Sequence, residues 1–157
     1  MKLNELKAIV TGGASGMGRH FAEQLHAAGA QVAVGDVDEA GLETLAAGIH
    51  RQALDVSDEA SILAFVPWAA EAMGGLNGLI NNAGIIRDGL LAGKSRRDGS
   101  IKRLATEQLR AVIDVNLIGA TLMAREVAVH MIESEAPGVI VNISSIARHG
   151  SRGQTNY

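Results

Sequence analysis

Apolar positions change their period along this chain, and each change predicts an element. Ala8 to Val10 form a short continuous apolar run, the pattern of a strand buried in a parallel sheet, and Thr11-Gly12-Gly13-Ala14-Ser15-Gly16-Met17-Gly18 follows at once. After Gly18 the period becomes helical. Phe21, Ala22, Leu25 and Ala28 share one face, Arg19, His20, Glu23 and Gln24 the other, and Gly29 is placed to end the helix. Gln31 to Gly35 predicts a second strand through Val32 and Val34, with Asp36 at its end.

Asp38-Glu39 can begin a short helix carrying Leu42 and Leu45, closed by Gly48, and a third strand near Arg51 to Leu54 runs into Asp55-Val56. Ser57 is the expected N-cap of the next helix, whose apolar stripe is Ile62, Phe65, Val66, Ala69 and Met73. Pro67 should kink it, because proline lacks the N–H and crowds the preceding turn. Gly74-Gly75 ends it. Leu76 to Ile80 predicts a fourth strand leading into Asn81-Asn82-Ala83-Gly84. Ile85 to Ala105 is long for a connection, which marks a functional loop or a mobile insertion.

From Thr106 to Ser134 one long helix is expected with two apolar stripes. The first contains Leu109, Val112, Ile113, Asn116, Ala120, Met123, Val127 and Met131, and the second Val115, Ile118, Leu122 and Val129. One stripe would cover the sheet and the other a neighbouring subunit, so a homo-oligomer is expected. After Pro137-Gly138, Val139 to Ile143 forms a fifth strand ending in Ser144-Ser145.

Strand and helix in alternation predict an α/β fold, a doubly wound parallel sheet of Rossmann type in three layers, forming one domain over 1–157. With right-handed crossovers the strand order is 3-2-1-4-5, and the switch point lies between strands one and four. The segments after each strand end would then converge on one crevice.

Composition narrows the classes without changing that picture. Apolar residues make up 47% and charged residues 20% of 157, and a formal net charge of −3 gives no reason to expect nucleic acid or an anionic membrane as partner. The one basic cluster, Lys94 to Arg103, reads as a solvated loop. There is no cysteine, and the five histidines lack ligand spacing. No apolar run approaches transmembrane length, and a cytoplasmic location is expected.

The glycine turn followed by a helix N-terminus places unpaired N–H groups and the positive end of the helix dipole where a pyrophosphate would be stabilised. Asp36 lies where a carboxylate accepts hydrogen bonds from the adenosine ribose hydroxyls and repels a 2′-phosphate, which favours NAD. The alternative is that the glycines serve only a tight turn.

Gly12-xxx-Gly16-x-Gly18, Asn81-Asn82-Ala83-Gly84, Asn116, Ser144-Ser145 and Tyr157 together resemble the short-chain dehydrogenase/reductase family over essentially the whole chain. The resemblance implies NAD held at Gly12, Ser15, Gly16, Met17 and Gly18, with Asp36 on the ribose, Asp55 and Val56 beside the adenine, and Asn82, Ala83 and Gly84 lining the cofactor. It implies Asn116, Ser145 and Tyr157 as catalytic groups. Tyr157 would pass a proton to or from the substrate oxygen, Ser145 would orient that oxygen, and Asn116 would hold a water. The implied activity is an NAD-dependent interconversion of a small secondary alcohol and a ketone. The competing reading is a non-catalytic nucleotide-binding or assembly module. The family's lysine four residues after the tyrosine is not in the sequence, and the fifth strand would be an uncovered apolar edge. The expectation is therefore an N-terminal portion of a longer protein, with a fold incomplete at its C-terminus.

Overall fold

The computed structural model describes residues 2–150, 153 and 155–157. Five parallel strands form the central sheet: β1 (Lys7–Thr11), β2 (Gln31–Asp36), β3 (His50–Ala53), β4 (Gly78–Asn81) and, last in the chain, β7 (Val139–Asn142), in the order β3-β2-β1-β4-β7. This is the order expected from right-handed crossovers. Register is set by pairs such as Ala8 with Val32, Ile9 with Leu79 and Leu79 with Ile140.

Helices cover both faces. Although β1 is apolar throughout, its side chains alternate between two cores because successive strand residues point to opposite faces. Ala8 and Val10 join Ala22 of α1 (Gly16–Ala27) and Leu42 of α2 (Glu39–Leu42), with Leu45 and Ile49 from the segment after it. Ile9 packs instead with Phe65 and Val66 of α3 (Glu59–Met73) and with Met123 and Val127 of α5 (Ala120–Glu133). Phe65 is fully buried. Gly35 in β2 permits that seat, since a Cβ there would stand 2.9 Å from Phe65 Cζ and 2.8 Å from Leu54 Cβ.

Several local expectations are corrected. Asp58 caps α3 through a bond from the Ala60 N–H, while Ser57 turns back and donates both its N–H and its hydroxyl to Asp55 Oδ1. Pro67, expected to kink this helix, lies inside it and is exposed, so the carbonyl that proline leaves without an intrahelical donor can be hydrated. The long helix is three pieces: α4 (Thr106–Ile113), a π-helical turn over Asp114–Gly119, and α5. That turn shifts the phase of the stripes. Val115 and Leu122 pack on the core, whereas Ile113 of the first stripe is exposed with Ile118 and Val129 of the second. Gly119 fits beneath the turn because its missing Cβ would collide with the Val56 carbonyl oxygen.

The connection expected as a loop contains an antiparallel hairpin, β5 (Ala92–Lys94) with β6 (Ile101–Arg103). Among the described residues no helix is long and apolar enough to cross a membrane.

Candidate functional site

The segments after β1, β2, β3, β4 and β7 meet in a crevice at the carboxyl end of the sheet, divided by one wall, Asn82-Ala83-Gly84. On one side is a cavity of about 330 Å³ that gathers Gly12, Ser15, Asp36, Asp55 and Val56. On the other is one of about 470 Å³ that gathers Met17, Asn116, Ser144, Ser145, Arg148 and Tyr157. Gly16 and Gly18 line neither cavity. They shape the turn that separates them.

Glycine is required at particular points of that turn. Gly12 adopts φ +66°, and a Cβ on it would lie 2.7 Å from Ala83 Cα. A Cβ at Gly18 would collide with the Gly12 carbonyl oxygen and lie 2.5 Å from Asn82 Nδ2. Gly16, at φ +57°, has no neighbour within 4 Å of its Cβ position, so the turn stays open there. Ser15 makes no side-chain cap, and the first intrahelical bond runs from the Arg19 N–H to the Ser15 carbonyl at 3.2 Å. The leading amides of α1 therefore meet an open cradle with no acidic residue in the first turn, a donor set that fits a pyrophosphate.

Asp36 braces this turn. Its Oδ2 accepts from the Ala14 N–H at 2.9 Å and its Oδ1 from the Asp38 N–H at 3.0 Å. A carboxylate has about four acceptor positions, so capacity remains for two hydroxyls. Asp55, which holds Ser57 through Oδ1, and the buried Val56 complete the far wall.

The dividing wall depends on a residue that sequence reasoning missed. Thr11, 1% exposed, accepts on its Oγ1 from the N–H of Asn82 at 3.1 Å and of Ala83 at 3.0 Å, while Asn82 Nδ2 donates back to the Thr11 and Gly12 carbonyls. The available signal was a hydroxyl ending an otherwise apolar strand. Asn81, also buried, donates to the Ala120 carbonyl and to Asn142 Oδ1, linking β4 to α5 and β7.

Asn116 projects from the π-helical turn toward the same wall. Its Oδ1 accepts from the Ile85 N–H at 2.8 Å and its Nδ2 donates to the Ile85 carbonyl at 3.0 Å. Both ends of the amide thus hold the chain leaving Gly84. Ser145 accepts on Oγ from the Ala147 N–H at 3.2 Å and begins the 3-10 turn Ile146–His149, leaving its hydroxyl hydrogen free to donate. Tyr157 is 40% exposed in the cavity that holds both serines. Asn156, beside it, donates to the Arg87 carbonyl at 2.9 Å and ties the tyrosine segment to the chain entering the hairpin.

Known proteins share this sequence pattern and fold. A family model described as short chain dehydrogenase matches residues 6–157. The chain is 38% identical over 143 residues to 2,5-dichloro-2,5-cyclohexadiene-1,4-diol dehydrogenase of Sphingobium indicum, covering 88% of this chain and 54% of the relative. It is 37% identical to galactitol 2-dehydrogenase of Agrobacterium fabrum, covering 98% and 57%. It is 34% identical to 3-oxoacyl-[acyl-carrier-protein] reductase of Thermotoga maritima, covering 100% and 63%. The chain thus spans little more than half the length of these relatives. A solved structure of 3-ketoacyl-(acyl-carrier-protein) reductase from Brucella melitensis complexed with NADH superposes with a TM-score of 0.80 at 30% identity, covering 99% of this chain and 62% of that one.

Proposed function

The chain belongs to the short-chain dehydrogenase family, and on that premise we propose that its crevice binds NAD and serves the interconversion of a small secondary alcohol and a ketone. The observation that carries this reading is the convergence of two chemically different sets of residues on opposite sides of one wall, the glycine turn with Asp36 and the group Asn116, Ser145 and Tyr157. The NADH in the Brucella neighbour supports the unphosphorylated cofactor.

In this reading the amides at Gly16, Met17 and Gly18 hold the pyrophosphate, Asp36 accepts from the ribose hydroxyls, and Asp55 with Val56 borders the adenine. Bound NAD supplies the hydride acceptor for alcohol oxidation, and NADH the donor for the reverse. Ser145 donates its hydroxyl hydrogen to the substrate oxygen and orients it. Tyr157 delivers the proton to that oxygen in reduction and removes it in oxidation. Asn116 fixes Ile85, and with it the wall between the two cavities. The exposed Ile113, Ile118 and Val129 support self-association, which sedimentation reads directly. A cytoplasmic location belongs to the same reading.

Separate NAD and NADP titrations, followed by turnover on secondary alcohols, test the proposal. NAD should bind tighter, with Asp36→Ala narrowing the difference. Tighter NADP binding overturns the cofactor assignment, and NAD binding without turnover favours the non-catalytic module.

A further inference from the structure

The charge of the hairpin is unlike that of the rest of the chain. Between residues 87 and 103 stand six cations, Arg87, Lys94, Arg96, Arg97, Lys102 and Arg103, against Asp88 and Asp98, in a protein of net charge −3. Elsewhere Arg19, Arg51 and Arg125 each pair with a glutamate. Among the described residues none of the six hairpin cations forms an ion pair, so the segment keeps an uncompensated excess of four positive charges.

The hairpin is also a prepared shape. Its tip is tied by Asp98, which accepts from the Ser100 N–H and hydroxyl, and by a bond from the Ser95 N–H to the Ser100 carbonyl. Its base is tied by Gln108, whose amide nitrogen donates to the carbonyls of Arg87 and Asp88. Between hairpin and α4 lies a cleft of about 270 Å³ lined by Lys94, Ser95, Lys102 and Arg103, with Asp88 and the apolar Leu90 also on its wall. Cross-strand pairing sets Lys94 and Arg103 on one face of the ribbon, while Lys102, paired with Gly93, belongs to the other face.

This cleft adjoins the reacting half of the crevice. Ile86 lines the cavity of Tyr157 and Asp88 lines the cleft, two residues apart and therefore within about 7 Å along the backbone. The Asp36 cavity does not include the hairpin, so its charge does not serve an adenosine phosphate. We propose that the hairpin cleft holds a phosphate group of the substrate while its alcohol or ketone lies between Ser145 and Tyr157. This rests on the crevice being the reacting site. A phosphate monoester carries about −1.5 to −2 at neutral pH with three acceptor oxygens, which suits the Lys94 ammonium and the Arg103 guanidinium fork on one face of the ribbon. A single carboxylate would leave most of the excess charge uncompensated. Leu90 supplies a surface for the carbon chain next to the phosphate.

Calorimetric titration of the chain at saturating NADH, which keeps phosphate from the glycine turn, tests this with two matched pairs: coenzyme A against pantetheine, and ribitol 5-phosphate against ribitol. In at least one pair the phosphorylated member should bind roughly tenfold or more tightly, and a Lys94→Gln, Arg103→Gln variant should erase that preference. The responding pair distinguishes a nucleotide thioester from a sugar phosphate. The proposal is overturned if wild type discriminates in neither pair, a result that needs no variant, or if the preference survives in a variant of unchanged thermal midpoint. It is equally overturned if a DNA oligonucleotide or phosphatidylserine vesicles bind tighter than either phosphate compound and lose binding in the variant. NADH fluorescence, read in parallel, reports the cofactor assignment separately: absent NADH binding counts against the functional reading, while the phosphate preference is still measured.

Discussion

The two halves of the crevice are built to different standards of order. On the adenosine side, buried Thr11, Ala14 and Val56 stand on the closed core, and the turn is fastened by Thr11, Asp36 and Asn82 through backbone bonds. On the substrate side Met17 and Ile86 are exposed, and Ser145 holds only its own 3-10 turn through a bond from the Ala147 N–H. The contrast separates two jobs. In the proposed reading a backbone cradle serves a cofactor common to many reactions, while the groups that meet a variable substrate stand on connecting segments.

The largest expected effect separates chemistry from stability. Tyr157→Phe removes the hydroxyl proposed to carry the proton and should lower turnover by about 10²–10⁴-fold while the urea midpoint stays at the wild-type value. A comparable loss of folding stability would mean that the substrate side is as structural as the other.

The converse holds at Thr11. Thr11→Val keeps the shape but leaves the buried amides of Asn82 and Ala83 without their acceptor, which should cost about 2–4 kcal/mol in urea unfolding, with Thr11→Ser recovering most of it. If valine is neutral, the dividing wall is held by packing alone.

Next in size is Gly18→Ala. The added methyl meets the Gly12 carbonyl and the Asn82 amide, and relieving that overlap should cost about 1–3 kcal/mol and weaken NAD binding, whereas Gly16→Ala is strained only by its positive φ. Equal loss of NAD affinity in both variants would show that the open cradle at Gly16 is as crowded in solution as the floor at Gly18.

The smallest effect lies at the hairpin tip. The Ser100 hydroxyl, then the Ser95 hydroxyl and the Ser100 N–H, hold the Asp98 carboxyl down at about 2 against an ordinary 3.8. A lowered folded-state value means that this contribution to tip order is fully present above about pH 4 and is lost as pH falls toward 2. The Ser100 amide resonance should therefore move only in that window, and Asp98→Asn should abolish the movement.

Much of this architecture was legible in local pattern. The alternation of apolar runs with helical stripes predicted five parallel strands and their order. The glycine turn with Asp36 pointed to a cradle because positive φ and close approach are properties a glycine carries wherever it stands. Other features depended on neighbours distant in the chain. Whether Ser57 or Asp58 capped α3 was decided by Asp55, which drew the serine back into its own turn. The π-helical turn, which exposed Ile113 and brought Val115 inward, has no periodic signature until Gly119 must fit beneath Val56.

By itself, then, the sequence determined the class of fold, the strand order and the kind of group its glycine turn could hold, since these follow from periodicity, chirality and the conformational range of glycine. Only the tertiary structure decided that Thr11, 71 residues before Asn82, holds the wall of the crevice, and that Asn116, 31 residues after Ile85, uses its side chain on backbone. It also decided that a basic stretch expected as solvated loop forms a hairpin with a cleft of its own. A hydrogen bond or a shared cavity depends on which groups folding brings within about 3 Å of each other, and no local pattern records that distance.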